Sequence, residues 1–327
     1  MNWRPLGSTG LRVTRIGLGL AALGRPAYIN VGRDEDLGHD RSIPTMERRC
    51  HEVLDEALAA GIGYFDAARS YGLAENFLRN WLDTRGLPAG AVTVGSKWGY
   101  RYTGEWRLAA QVQETKDLSL ETLRRQLKES RDQLGDRLQL YQVHSATLES
   151  GILDQQDVLA ELVGLLSEGL VIGLTTTGPR QAEVLRRALR VKVDGVNPFS
   201  VVQATWNVLE RSSGAALAAA HAAGWGVIVK EALANGRLTS REAGERLPRL
   251  AAVAKSIGAT VDQVAIAAAL ANPWADVVLS GAVTREQVRS NVGAIGLEIS
   301  ADRMHALAAL AQAPEVYWSE RSARVWT

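Results

Sequence analysis

Asp66, Tyr71, Lys97 and His144 are the side chains in this sequence whose types together suit proton transfer. Tyrosine alone is a poor acid near neutral pH, with a reference value of about 10. An ammonium group beside it favours the phenolate and is expected to lower that value. A buried lysine needs a counter-charge, which an aspartate supplies. A histidine orients a substrate oxygen or relays a proton. The set reads as a proton-donating device aimed at a carbonyl oxygen. None of its members is a hydride source, so a cofactor must bring one. Taken singly, each has an ordinary explanation, the aspartate as a helix cap and the lysine and tyrosine as surface or core. The weight comes from their common position at, or just after, the ends of short apolar runs.

Those runs belong to a regular alternation. RPLGSTGLRVTRIGLG, with Gly7 and Gly10 around Ser-Thr, reads as a hairpin leading into a strand that ends near Gly17. A polar loop follows over 24–43, expected to overhang a binding site. Helices are expected over 47–60, with Thr45 as cap, and over 75–85. Another is expected in LSLETLRRQLKESRDQLG, begun at Ser119 and ended by Gly135. PRQAEVLRRAL reads as a helix with proline in its first turn. A last helix is expected over 301–311, followed by a tail. Between the helices lie IGYFD, AVTVGSK, RLQLYQVH, LVIGLTTT, SVVQA, WGVIVKE and ADVVLSGA, short runs that read as strands. Several are continuously apolar, as strands covered on both faces are. No compositional break or linker divides the chain. The expected fold is therefore α/β, a (β/α)8 TIM barrel with an N-terminal β-hairpin, as a single domain over 1–327.

Composition agrees with an ordinary globular protein: 46% hydrophobic and 22% charged residues, with a net charge of +1. That balance gives no basic field for a nucleic-acid partner. The lone cysteine, Cys50, excludes a disulfide within the chain and fits a reducing compartment. MNWRPLGSTG has no apolar leader core, and the longest apolar stretches, such as 264–271, are far shorter than a span of roughly 20 residues. A cytoplasmic location without a membrane is expected; nothing indicates an oligomeric state. The histidines are too scattered for a recurring metal-ligand spacing. Gly17, Gly19 and Ala22 imitate a dinucleotide fingerprint, but Gly24, Arg25 and Pro26 interrupt the helix it requires.

With these motifs in place, the chain resembles the aldo-keto reductase family. GIGYFDAARSYGLAE resembles its signature, in which four residues separate Asp from Tyr. VTVGSKWG is similar to the lysine strand, LQLYQVH to the histidine strand, RPLGSTGLRVTRIGLG to the hairpin and SGAVTREQVRSNV to the cofactor-phosphate helix. The resemblance runs over 4–291. It implies Tyr71 as general acid/base, Lys97 and Asp66 as groups that tune it, and His144 as the residue that orients substrate. It also implies an extended nicotinamide cofactor, NADPH with NADH as the alternative. Thr175, Thr176, Gln203, Lys230, Gly281, Arg285, Gln287 and Asn291 match its cofactor positions. A helix N-terminus at Thr284 suits an anion.

The chain departs from the family at four of those positions. Thr175 and Thr176 replace a usual Ser-Asn pair, Lys230 stands where an aromatic often stacks, and Gly281 replaces a lysine. Arg285 and Arg289 are the nearby basic residues. Tyr28, Trp98, Tyr100, Tyr102, Trp106, Trp318 and Trp326 are candidate walls of a substrate pocket. The substrate class is a small carbonyl compound, or a sugar or alcohol in the reverse direction. The alternative is the same barrel used as a cofactor-binding regulatory subunit, or for non-redox acid/base chemistry.

Overall fold

The computed structural model describes residues 2–242 and 247–326. A hairpin of β1 (Trp3–Pro5) and β2 (Arg12–Thr14) precedes the barrel. The barrel strands are β3 (Ile16–Gly19), β4 (Tyr64–Asp66), β5 (Thr93–Trp98), β8 (Leu138–Ala146), β9 (Val171–Thr176), β10 (Val201–Thr205), β11 (Gly226–Lys230) and β12 (Val277–Ser280). All pair in parallel, and β12 closes onto β3 with Val278 opposite Ile16. This is the (β/α)8 barrel expected from the alternation. It places every strand's C-terminal end at one mouth, so groups distant in sequence converge there.

The hairpin plugs the opposite end. Leu6 and Val13 pack with Tyr64, Leu140, Val201, Ile228 and Val277 inside the barrel. Gly7 makes this closure feasible. Its φ is +52°, and a Cβ there would lie 2.4 Å from the Gly226 nitrogen.

The covering helices are α2 (Ile43–Ala59), α3 (Ala74–Thr84), α4 (Leu120–Leu134), α5 (Gln156–Ser167), α6 (Gln181–Ala188), α7 (Gly214–Ala222), α8 (Pro248–Ser256), α9 (Val261–Leu270) and α10 (Arg285–Gly293). Apolar stripes such as Leu123, Leu127 and Leu134 of α4 face the outside of the sheet in one large core. Ser119 and Thr284 cap α4 and α10, each accepting from the backbone N–H three residues on.

Several boundaries differ from the sequence reading. Helix α2 begins a turn earlier than expected, because Pro44 suits a first turn and Asp40 holds the Ser42 N–H and the Thr45 hydroxyl. Thr45 is therefore inside the helix rather than its cap. Pro179 lies before α6 instead of in its first turn. The 24–43 loop contains a short helix, α1 (Arg33–Leu37). A second hairpin, β6 (Tyr100–Tyr102) with β7 (Glu114–Lys116), follows the lysine strand. The terminal helix ends earlier than expected, as α11 (Ala301–Ala308), and part of the expected tail is α12 (Pro314–Ser322). No single helix among the described residues is long and apolar enough to cross a membrane.

Candidate functional site

Asp66 closes β4, Lys97 is the penultimate residue of β5, and His144 lies near the end of β8. Tyr71 comes from the loop after β4. Its backbone is pinned by Gly24 of the preceding βα loop: Leu73 N–H donates to the Gly24 carbonyl at 2.7 Å. A Cβ on Gly24 would meet the Tyr71 carbonyl oxygen at 2.3 Å, so that close approach requires glycine.

The Lys97 ammonium donates to Asp66, to the Ala67 carbonyl at 2.9 Å and to the Tyr71 hydroxyl at 3.2 Å. Asp66 also accepts from Tyr64 at 2.9 Å, Gln203 at 2.9 Å and Gln142 at 3.3 Å. A buried carboxylate with that many donors is held firmly as the counter-charge of the lysine. The His144 ring stands edge-on to Tyr71, centroids 5.5 Å apart, with Tyr100 behind it at 5.0 Å. The four polar residues named from the sequence are thus brought together.

Their protonation differs from the sequence expectation in one respect. Burial first, then the Asp66 charge, pushes the Tyr71 phenol well above its ordinary value. The Arg25 charge acts in the opposite direction and does not outweigh them. His144 is driven well below its usual value by burial and by the neighbouring cations, Lys97 foremost. At neutral pH the site holds a phenol and a neutral imidazole.

A cavity of about 680 Å³ opens over these groups and runs along the mouth to the N-terminus of α10. Asp66, Tyr71 and His144 line one end, with Thr175, Gln203 and Lys230; Gly281, Thr284, Gln287 and Asn291 line the other. Tyr28 and Trp326 also lie on the wall. Thr176, Arg285, Trp98, Tyr100 and Trp318 do not. Successive strand residues face opposite ways, so Lys97 and Thr175 point into the mouth while Trp98 and Thr176 point out under the helices. Trp98 is fully buried in the outer core. Thr176 is buried 3.5 Å from Gln181. Trp318 packs against Tyr317 in a separate cluster. Trp106 donates to the Arg41 carbonyl and stands edge-on to Phe77, and neither it nor Tyr102 reaches the wall. Arg285 is on the exposed side of α10, and Arg289 pairs with Glu56 of α2.

Sequence reasoning missed the other charged residues of this wall, among them Arg25, Glu114, Glu231 and Arg321. Arg25 lies among the rings of Tyr28, Tyr71 and Trp326 at 5.0, 5.2 and 4.6 Å. One of its nitrogens donates to Glu114 at 2.8 Å and to the Ser70 carbonyl at 3.0 Å. Glu231 pairs with Arg321 of α12 and tethers the C-terminal segment over the cavity. Burial acts to raise Glu231, but Arg321 and Lys230 outweigh it and hold the carboxyl at about 2. The only sequence signal for Arg25 was its place in the Gly-Arg-Pro interruption; the partners are too distant for any periodicity to reveal.

The residues present fit an extended dinucleotide. The N-terminus of α10 presents backbone donors to a phosphate. Gly281 leaves the backbone open, since a Cβ there would meet nothing nearer than 3.9 Å. Gln203 and Thr175 offer polar atoms beside Tyr71, where a nicotinamide must lie to serve the same carbonyl.

The family model for the "Aldo/keto reductase family" matches residues 15–312. L-galactose dehydrogenase of Arabidopsis thaliana is 29% identical, covering 89% of this chain and 87% of that protein. The NADH-specific methylglyoxal reductase of Escherichia coli (strain K12) is 26% identical, covering 90% of this chain and 94% of that protein. Among solved structures, aldo-keto reductase AKR11C1 from Bacillus halodurans, in its holo form, superposes with a TM-score of 0.71. It is 22% identical and covers 96% of this chain and 97% of its own.

Proposed function

The chain belongs to the aldo/keto reductase family of oxidoreductases, and from that premise we propose that it interconverts a carbonyl and an alcohol with Tyr71 as the proton donor and acceptor. The observation that carries this reading is the Tyr71 hydroxyl at 3.2 Å from Lys97, itself on Asp66, at the floor of the cavity. A nicotinamide dinucleotide, when bound, supplies or accepts the hydride. Tyr71 gives its proton to the carbonyl oxygen as charge develops there. Lys97 stabilises the phenolate left behind, and Asp66 keeps the lysine charged and in place. The neutral imidazole of His144 offers one ring nitrogen to the substrate oxygen. Gln203, Thr175, Lys230, Gly281, Gln287 and Asn291 would hold the cofactor.

The wall supports a polar substrate. Arg25–Glu114 and Glu231–Arg321 are charged pairs that an apolar ketone would strip of water without replacing its hydrogen bonds. A small hydroxyaldehyde or a sugar satisfies them, with Trp326 and Tyr28 as apolar faces. A relative named for L-galactose falls in that class, and one named for methylglyoxal points to a small polar ketoaldehyde.

The test is cofactor consumption with a panel of aldehydes, and its production with sugars and alcohols. Tyr71→Phe should lose about 10²–10⁴-fold in kcat while still binding dinucleotide. A variant as active as the wild type would remove Tyr71 from the proposed role. Tight dinucleotide binding with no turnover on any panel would favour the regulatory reading.

A further inference from the structure

We infer that the far end of the cavity selects the unphosphorylated cofactor, NAD(H), through Asp36, the reverse of the NADPH preference that the family resemblance implies. The inference rests on the reading that the cavity holds a nicotinamide dinucleotide. The nicotinamide must lie beside Tyr71, so the wall around Gly281, Thr284 and Gln287 receives the adenosine.

Asp36, from α1 in the long loop after β3, lies on that wall. Its carboxylate accepts from both terminal nitrogens of Arg241, at 3.1 and 2.5 Å, and from Gln287 at 2.7 Å. An ionised carboxylate has about four acceptor positions. One therefore remains, enough for a ribose 2′-hydroxyl. An acidic side chain on the ribose hydroxyl favours the unphosphorylated dinucleotide, whereas a 2′-phosphate calls for a free guanidinium or ammonium.

No such free cation stands at this end among the described residues. Arg241 is committed to Asp36. Arg33 donates to the Ala22, Arg25 and Pro26 carbonyls. Arg324 pairs with Glu242, and Arg289 with Glu56. Arg285 is off the wall, while Glu286 lines it. Lys230 lies at the Tyr71 end, beside Glu231. A 2′-phosphate would thus have the backbone N–H groups at the α10 N-terminus but no free cation, would face the Asp36 carboxylate, and would gain Arg241 only by breaking the Arg241–Asp36 pair. Gly32 keeps that pair seated: a Cβ there would overlap the Arg241 side chain.

The experiment is equilibrium binding of NAD⁺ and NADP⁺ to the full chain by calorimetry, independent of turnover. NAD⁺ should bind about ten- to a hundredfold more tightly. Asp36→Asn should narrow the gap by raising NADP⁺ affinity. Gln287→Arg, which adds a guanidinium beside Asp36, should raise NADP⁺ affinity even if Asp36→Asn unfolds. Tighter NADP⁺ binding by the wild type overturns the inference and leaves the oxidoreductase reading standing. Failure to bind either dinucleotide overturns both.

Discussion

The Lys97 ammonium donates to the Tyr71 hydroxyl across 3.2 Å, yet that phenol is pushed up, not down, from its ordinary value. Burial and Asp66 decide the sign. For carbonyl reduction this is the useful state, because the acid must be protonated before the reaction. The phenolate then needs Lys97 only once it has formed.

The pH dependence follows from these directions. A raised tyrosine extends the competent form upward, so reduction should hold a plateau through neutral pH to above about 10. A depressed His144 stays neutral below its usual value, so the rate should show no inflection near 6.5 from the imidazole. Rate against pH on one aldehyde checks both. A fall in kcat/KM centred near pH 8 that persists in Lys230→Met, which removes the cavity group held at about 8, would contradict the protonation assigned to Tyr71.

Gly24 sets the position of the Tyr71 loop, and Gly24→Ala should show it. The added methyl would lie 2.3 Å from the Tyr71 carbonyl oxygen and 2.4 Å from the Ala74 Cβ. Overpacking of this kind costs about 1–3 kcal/mol. The expected result is a modest loss of thermal stability with a much larger loss of kcat. Equal kcat in variant and wild type would show that Tyr71 does not depend on this contact.

Lys230 is held down to about 8, chiefly by burial. Its folded value lies below its unfolded value of about 10.4, so the unfolded chain binds more protons between the two. The penalty for charging it is fully present below about 8 and fades as pH rises toward 10.4. Lys230→Met should therefore stabilise the protein at pH 7 by about 1 kcal/mol, allowing for solvent at the cavity mouth. That advantage should shrink above pH 8, as denaturant unfolding at two pH values will show. A variant less stable than wild type at pH 7 would mean that Lys230 has stabilising partners outweighing its burial.

Glu231 and Arg321 join β11's exit loop to α12. Glu231→Gln keeps the size and removes the charge, at a cost of about 2 kcal/mol for a largely buried pair. It should also free the C-terminal segment, measured as faster proteolysis after Ala313 and as a change in Trp326 fluorescence. An unchanged digestion pattern would show that the pair does not tether α12.

The sequence by itself determined the barrel and the four polar groups at its mouth. Eight short apolar runs separated by amphipathic helices leave few folds, and parallel closure forces every strand end to one side. Asp66, Lys97 and His144 sit near strand ends, and Tyr71 lies five residues after Asp66, so their meeting follows from topology. The period of two in a strand even held the correction to Trp98 and Thr176, since each neighbours a residue that points inward. Tertiary structure decided what local pattern does not carry. Burial of Tyr71 sets its protonation, and burial is a property of the whole surround. Arg25 meets Glu114, Arg321 meets Glu231, and Asp36 meets Gln287 only because loops from separate strands cross over one cavity. Such contacts leave no periodicity in the chain, and they set the substrate wall and the cofactor end that the strand-and-helix pattern of the barrel leaves open.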